Sequence, residues 1–197
     1  MKKLNLLAIS LMTLAFMSCS STQHRVERVD VDETIDLSGR WNDTDSRTVA
    51  DDMVTQVLEG AWITEHLRNN NGEKPVVIVG LVYNKTSEHI DANTFIKDVE
   101  KAFVNSGKVR LVQAGEKREE LRKERAAQQD FASLETAKKW GLELGADYML
   151  QGEISSIVDS YNREQVTYYQ TSLELANLET NEIVWIGDTK IKKYIVK

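Results

Sequence analysis

"ADYMLQGEISSIVDSYNREQVTYYQTSLELANLETNEIVWIGDTKIKKYIV", residues 146–196, decides the fold. It holds three long stretches rich in β-branched and aromatic residues. The cluster "YNRE" separates the first two, and "TNE" separates the last two. Long strands joined by short turns predict an antiparallel three-stranded meander. Leu173 and Leu175 share one parity, as do Ile183 and Trp185, with polar residues partly interleaved. That pattern suits a sheet with one packed face and one wet face.

Upstream, strands alternate with helices. Pro75 opens "PVVIVGLVYN", and proline is tolerated at the first position of a strand. Val76 to Val79 are apolar in succession, as in a strand covered on both faces. "KVRLVQ", residues 108–113, is a second, short strand. Before them, Val49, Met53, Val54, Val57, Leu58, Ala61 and Trp62 form one stripe at three- and four-residue spacing. The stripe predicts a helix running to about Leu67, with Asp45 or Ser46 as its cap, ended by the "NNNG" turn cluster. Phe95, Ile96, Val99, Ala102 and Phe103 mark a helix over residues 91–106, and Gly107 sits where a left-handed C-terminal residue belongs. "GEKREELRKERAAQQ" reads as a charged helix with almost no apolar stripe, a solvated face or else a protruding arm. A further helix is expected over residues 134–144. The order α-β-α-β-α-α-β-β-β gives an α/β fold, a mixed sheet with flanking helices.

The N-terminus concerns location. Lys2 and Lys3 precede an apolar run from Leu4 to Met17, and Ser18, Cys19, Ser20 and Ser21 follow. This is the order of a secretory signal, and the run is too short to span a bilayer, which takes about 20 apolar residues. "FMSC" resembles a bacterial lipobox, with Phe16 where leucine is usual; the resemblance implies cleavage after residue 18 and a lipid on Cys19. Cys19 is the chain's single cysteine, so no intramolecular disulfide forms. Ser20, rather than aspartate, follows it, which favours the outer membrane, facing the periplasm. Residues 19–36 read as a polar, proline-free, flexible tether, reaching about 55 Å when extended at roughly 3.4 Å per residue. Residues 37–197 remain as one domain.

Composition narrows the function. The 41 % hydrophobic share suffices for a packed core. Loss of Lys2 and Lys3 moves the net charge from −6 to −8, a poor balance for binding nucleic acid. His24, His66 and His89 are scattered, each read as a surface residue, and no metal or cofactor site is expected. "GLVYNKT" lacks the Gly-Lys-Ser/Thr ending of a phosphate loop, there is no Gly-x-Ser-x-Gly elbow, and no carboxylate pair is seen to converge. Catalytic residues are therefore not expected.

Two stretches are candidates for contact with a partner. "GRWNDTDS", residues 39–46, offers Arg40 and Trp41, both common interface anchors. The alternative is a turn in which Trp41 covers the core and the polar residues satisfy helix-start donors. "VYNKTSEHID", residues 82–91, leaves the end of a buried strand and offers Asn84, Lys85 and His89.

A lipobox followed by "LSGRWNDTDSR", "KPVVIVGLVYNKTSEHID", "FIKDVEKAFVNSGKVRLV", "ELGADYMLQGEISSI" and "LETNEIVWIG" resembles the LpoB-type lipoproteins over residues 37–197. The resemblance implies a fold like the N-terminal domain of TolB. It implies an outer-membrane lipoprotein that binds and stimulates a bifunctional penicillin-binding protein, raising glycan polymerisation in cell-wall synthesis. The best-known members carry a long proline-rich tether, and this one is about 17 residues without proline. Two other readings stand beside it: an assembly or secretion lipoprotein related to the curli channel, and a general envelope-binding lipoprotein. The first needs membrane strands, and "DTKIKK" is charged on both parities.

Overall fold

The structure is a computed structural model that describes residues 26–131 and 143–196. Cys19, the signal and most of the expected helix over residues 134–144 lie outside the described residues. The chain divides into two units, Met1–Glu33 and Thr34–Lys197. Of the first, Val26–Glu33 is exposed, with one turn closed by the Glu33 N–H on the Asp30 carbonyl at 3.2 Å.

The second unit begins its regular structure with helix α1 (Asp43–Glu59). Its cap is Asn42 rather than Asp45 or Ser46. The Asn42 side chain accepts the Asp45 N–H at 3.0 Å, and the Asp45 carboxylate accepts the Asn42 N–H at 2.9 Å. Two orphan donors are satisfied reciprocally, the arrangement of a capping box. Val49, Ala50, Met53 and Val57 are the buried stripe.

The single helix expected to run to Leu67 is in fact two. Gly60 is extended, with ψ 142°, and α2 (Ala61–Asn69) starts in a new direction. A Cβ on Gly60 would lie 2.6 Å from Trp62 Cδ1 and 2.9 Å from Trp185 Cδ1, so two indoles occupy the space a side chain would need. The Trp62 indole N–H donates to the Val57 carbonyl at 2.7 Å, which also accepts the Gly60 N–H at 3.3 Å, so the indole and the C-cap share one acceptor at the end of α1.

Strand β1 (Val76–Asn84) leads to α3 (Ala92–Ser106), which is capped by Asp91 and ended by Gly107 at φ 61°. Then come β2 (Arg110–Val112), α4 (Gly115–Phe131), β3 (Tyr148–Tyr161), β4 (Glu164–Asn177) and β5 (Ile183–Val196). The sheet order is β2-β1-β3-β4-β5. β1 is parallel to β2 and β3, and the last three strands are antiparallel, so the sheet is mixed and ends in the expected meander. The core lies between the sheet and α1 to α3: Phe95, Val99 and Phe103 of α3 and Met53 of α1 join Val77, Leu150, Leu173 and Leu175. Each such side chain contributes about 1.5–3 kcal/mol on burial.

The parity read for β5 slips at its start. Leu175 pairs with Trp185 and Ala176 with Ile183, leaving Val184 as an extra residue. This bulge lets Val184 and Trp185 both pack against the core and leaves Ile183 55 % exposed.

No residue of α4 from Gly115 to Gln128 is buried, and the helix is tied by charge. Arg122 and Arg125 grip Glu143 at 2.8 and 2.6 Å. The hydrogen bond from Arg122 is the main cause that lowers the Glu143 carboxyl to about 2.

Two outcomes are expected. Gly60→Ala forces the two indoles apart and costs about 1–3 kcal/mol in denaturant unfolding; an unchanged midpoint would mean the bend does not depend on the missing side chain. The Glu143 carboxyl is depressed on folding, so its contribution is complete above its ordinary value near 4.5 and disappears as pH falls through about 2. Acid titration should loosen the α4 contact in that window, and in an Arg122→Gln, Arg125→Gln variant the loosening should already be present at neutral pH.

Candidate partner-binding surface

Glu88 brings the two candidate stretches together. Its carboxylate accepts the Trp41 backbone N–H at 3.0 Å and the Tyr169 hydroxyl at 2.6 Å. Trp41 stands edge-on to Tyr169, with ring centroids 5.4 Å apart and planes at 72°. The Trp41 indole N–H donates to Ser46 Oγ at 2.7 Å. Burial, then the Glu88 carboxylate, pushes the Tyr169 phenol far above its ordinary range, so it stays a donor at any physiological pH. Trp41 is therefore half-buried in a structural junction, with its polar atoms engaged.

Asn84, itself exposed, braces the second loop through local hydrogen bonds. Its amide donates to the Glu88 carbonyl at 2.7 Å, and its Oδ1 accepts the Thr86 N–H at 2.9 Å. This local network makes an Asx-type turn at the end of β1. The Lys85 N–H donates to the Ile154 carbonyl at 2.8 Å, while its ammonium stands 5.6 Å from the centre of the Tyr83 ring. Lys85 and His89 point to solvent, as does Arg40.

A second cation lies beneath this rim. Lys193 of β5 reaches Asp36 and Asp45, each at 2.7 Å, and the Arg40 carbonyl at 3.1 Å. Burial disfavours the ammonium, but the hydrogen bonds to the two carboxylates outweigh it and hold its pKa above the usual lysine range. Lys193 thus fastens the chain entering the domain, the cap of α1 and the last strand at one point.

The structure unites the segments that were expected to act together, with different weights. Arg40, Lys85 and His89 are presented outward, whereas Trp41 and Asn84 hold the loops in shape. Sequence reasoning missed Glu88 and Lys193. The one sequence signal for Glu88 was its place in a polar loop after a buried strand. Lys193 sat in a run that looked charged on both faces.

His66 also departs from its expected surface position. It is only 7 % exposed, bonds the Tyr148 hydroxyl at 3.0 Å and floors a cleft of about 770 Å³ at the opposite end of the sheet, with Glu65, Asn70 and Asp147 around it. Among the described residues no group of three or more His, Cys, Asp or Glu side chains could hold a metal ion.

Comparison with known proteins adds a family. The family model described as peptidoglycan-synthase activator LpoB matches residues 45–191. Among solved structures, the LpoB C-terminal domain from Salmonella enterica is 21 % identical, with 75 % of this chain and 98 % of that one covered, at a TM-score of 0.41. The corresponding domain from Escherichia coli is 19 % identical, with 78 % and 99 % covered, at a TM-score of 0.38. The solution structure of Escherichia coli LpoB is 17 % identical, with 92 % and 85 % covered, at a TM-score of 0.40. No curated protein matches the chain.

Lys193→Met should leave the Asp45 carboxylate buried without its cation. The expected loss is roughly 2 kcal/mol, below that of a fully buried pair because Lys193 keeps some solvent contact. Arg40→Ala should change stability by less than about 0.5 kcal/mol. Urea midpoints of the two variants check both statements, and a Lys193→Met protein as stable as the parent would dismiss the fastening role.

Proposed function

The chain belongs to the LpoB family of peptidoglycan-synthase activators, and from that membership we propose that, anchored in the outer membrane, it reaches across to bind and stimulate a bifunctional penicillin-binding protein of the inner membrane. The observation that carries this reading is the family match over residues 45–191, which runs from the capping box of α1 to the middle of β5. In this reading Cys19 carries the lipid, residues 19–36 are the tether, and the domain faces the periplasm. Among the described residues no helix is long and apolar enough to cross a membrane, which is consistent with anchoring through lipid.

The protein acts without chemistry of its own. It binds the synthase better in the conformation that polymerises glycan strands than in the resting one, and that difference shifts the population. A differential affinity of about 1–3 kcal/mol corresponds to roughly 5–150-fold. The rim of Arg40, Lys85 and His89 belongs to the surface offered to that partner. Trp41 and Asn84 hold it in shape. The junction suits this work because its shape is set by bonds across the fold, so little ordering cost remains for binding.

Two experiments test the reading. Cross-linking of the full-length lipidated chain in its own cells should capture a bifunctional penicillin-binding protein first. Added to that purified synthase, the chain should raise the rate of glycan polymerisation. A capture dominated by the chain itself or by outer-membrane assembly machinery, together with an unchanged polymerisation rate, would reject it. Cys19→Ala should move the protein from the membrane fraction to the soluble one.

A further inference from the structure

The cleft floored by His66 lies between α2, the start of β3 and the β4–β5 turn. Hydrogen bonding fixes the state of its floor. The Asn70 amide nitrogen donates to the His66 main-chain carbonyl at 2.9 Å; a carbonyl only accepts, so the orientation of that amide is settled. The same nitrogen stands 3.4 Å from His66 Nδ1, and the Tyr148 hydroxyl stands 3.0 Å from it. Burial, then the charges of Asp147 and Glu65, pushes the Tyr148 phenol above its ordinary range, so it keeps a proton to donate. Nδ1 is therefore the acceptor, and the neutral ring carries its proton on Nε2. That N–H makes no hydrogen bond among the described residues. The Asp147 carboxylate is 3.9 Å away, beyond bonding distance, and the same oxygen already accepts the Val76 N–H at 2.8 Å. His66 is more than nine-tenths buried and lines the cleft, so a directed donor is held open there, away from bulk water. Such a donor is costly until an acceptor meets it.

The walls carry the opposite requirement. Glu65 of α2, Asp147 before β3, and Glu179 and Glu182 of the β4–β5 turn line the cleft, and among the described residues no Lys or Arg does. The walls therefore attract a cation and repel an anion, and the acceptor that meets Nε2–H must be neutral. A bare metal ion does not fit the requirement, since no described group of three or more ligating side chains could hold one. The cleft, at about 770 Å³, instead falls within the span of small-molecule sites, about 300–1,000 Å³. Trp62 and Tyr148, edge-on with centroids 5.3 Å apart, give its floor an apolar part.

We infer that this cleft binds the free amino end of a short peptide, with the ammonium group among the wall carboxylates and the first carbonyl oxygen on His66 Nε2–H. An ammonium and a neutral carbonyl a few bonds apart supply both of the missing partners. A free amino acid supplies them less well, because its carboxylate would face four like charges. The site lies at the opposite end of the sheet from Arg40, Lys85 and His89, and it stands independently of the activator reading.

The experiment titrates the full-length lipidated chain in detergent with alanyl-alanine amide in a calorimeter. The amide should bind, and added salt should weaken it. N-acetyl-alanyl-alanine amide, which lacks the charge, should not bind. Propylamine, which lacks the carbonyl, should bind about fivefold more weakly. Glu65→Gln with Glu182→Gln, two exposed positions, should weaken the amide by about fivefold, while Glu153→Gln with Asp159→Asn, elsewhere on the sheet, should leave it unchanged. With isotope-labelled histidine, the His66 Nε2 resonance should move on adding the amide and stay in place on adding the acetylated control. No heat up to about 10 mM amide, where a ligand of millimolar affinity is largely bound, overturns the inference. Equal binding of the acetylated compound overturns the cation site, equal binding of propylamine overturns the role of His66, and unchanged binding by the Glu65, Glu182 variant places the amide outside the cleft; each of these rejects the inference.

Discussion

The Lys193 ammonium is the constraint on which the arrangement of this domain depends. It sits near the end of the last strand and is gripped by Asp36, Asp45 and the Arg40 carbonyl. Each partner belongs to a different piece: the entering chain, the first turn of α1, and the loop between them. Asp45 does double duty, since the carboxylate that holds Lys193 also caps α1. Taking one charge of such a set out of water is costly, and it is tolerated because the ammonium finds three acceptors. With α1 fixed to β5, its stripe meets α3 and the sheet in a single register.

Glu88 performs the matching task on the other side of the junction. Its carboxylate divides between a backbone N–H in the entering loop and a phenol in the middle of β4. A carboxylate with both oxygens engaged by fixed donors leaves the loop little freedom, and Asn84 removes more of it. The cations displayed above, Arg40 and Lys85, are therefore mounted on rigid support. Binding energy at such a surface goes to contact and not to ordering.

How far the sequence could be read follows from the range of each interaction. Period-two and period-3.6 patterns are local, and they placed the meander, the buried run of β1, the stripe of α3 and the left-handed Gly107. Gly60 was invisible because the apolar period of Val57, Leu58, Ala61 and Trp62 continues through it; the bend packs against Trp62 and against Trp185, the latter more than a hundred residues away. The bulge at Val184 hid in the same manner, since alternation holds on either side of it. Lys193 looked like one more charge in "DTKIKK", and its role depends on two carboxylates at the other end of the chain. The exposure of Arg40, Lys85 and His89 was legible because they are polar residues in loops. Trp41 was read correctly in its bland alternative, as a cover for the core.

The fastening at Lys193 also bears on mechanics. A pull on the chain preceding Asp36 runs along the backbone toward the start of α1, and the Asp36 carboxylate links the same segment sideways to the end of β5 through Lys193. Neither element feels the force alone. β5 is zipped to β4 along most of its length, and α1 is packed on the core, so traction is shared between a hydrogen-bonded ladder and an apolar interface. A lone terminal helix would unravel from its tip. Here the tip is braced against β5, so the start of α1 and the end of the last strand are held by the same cation.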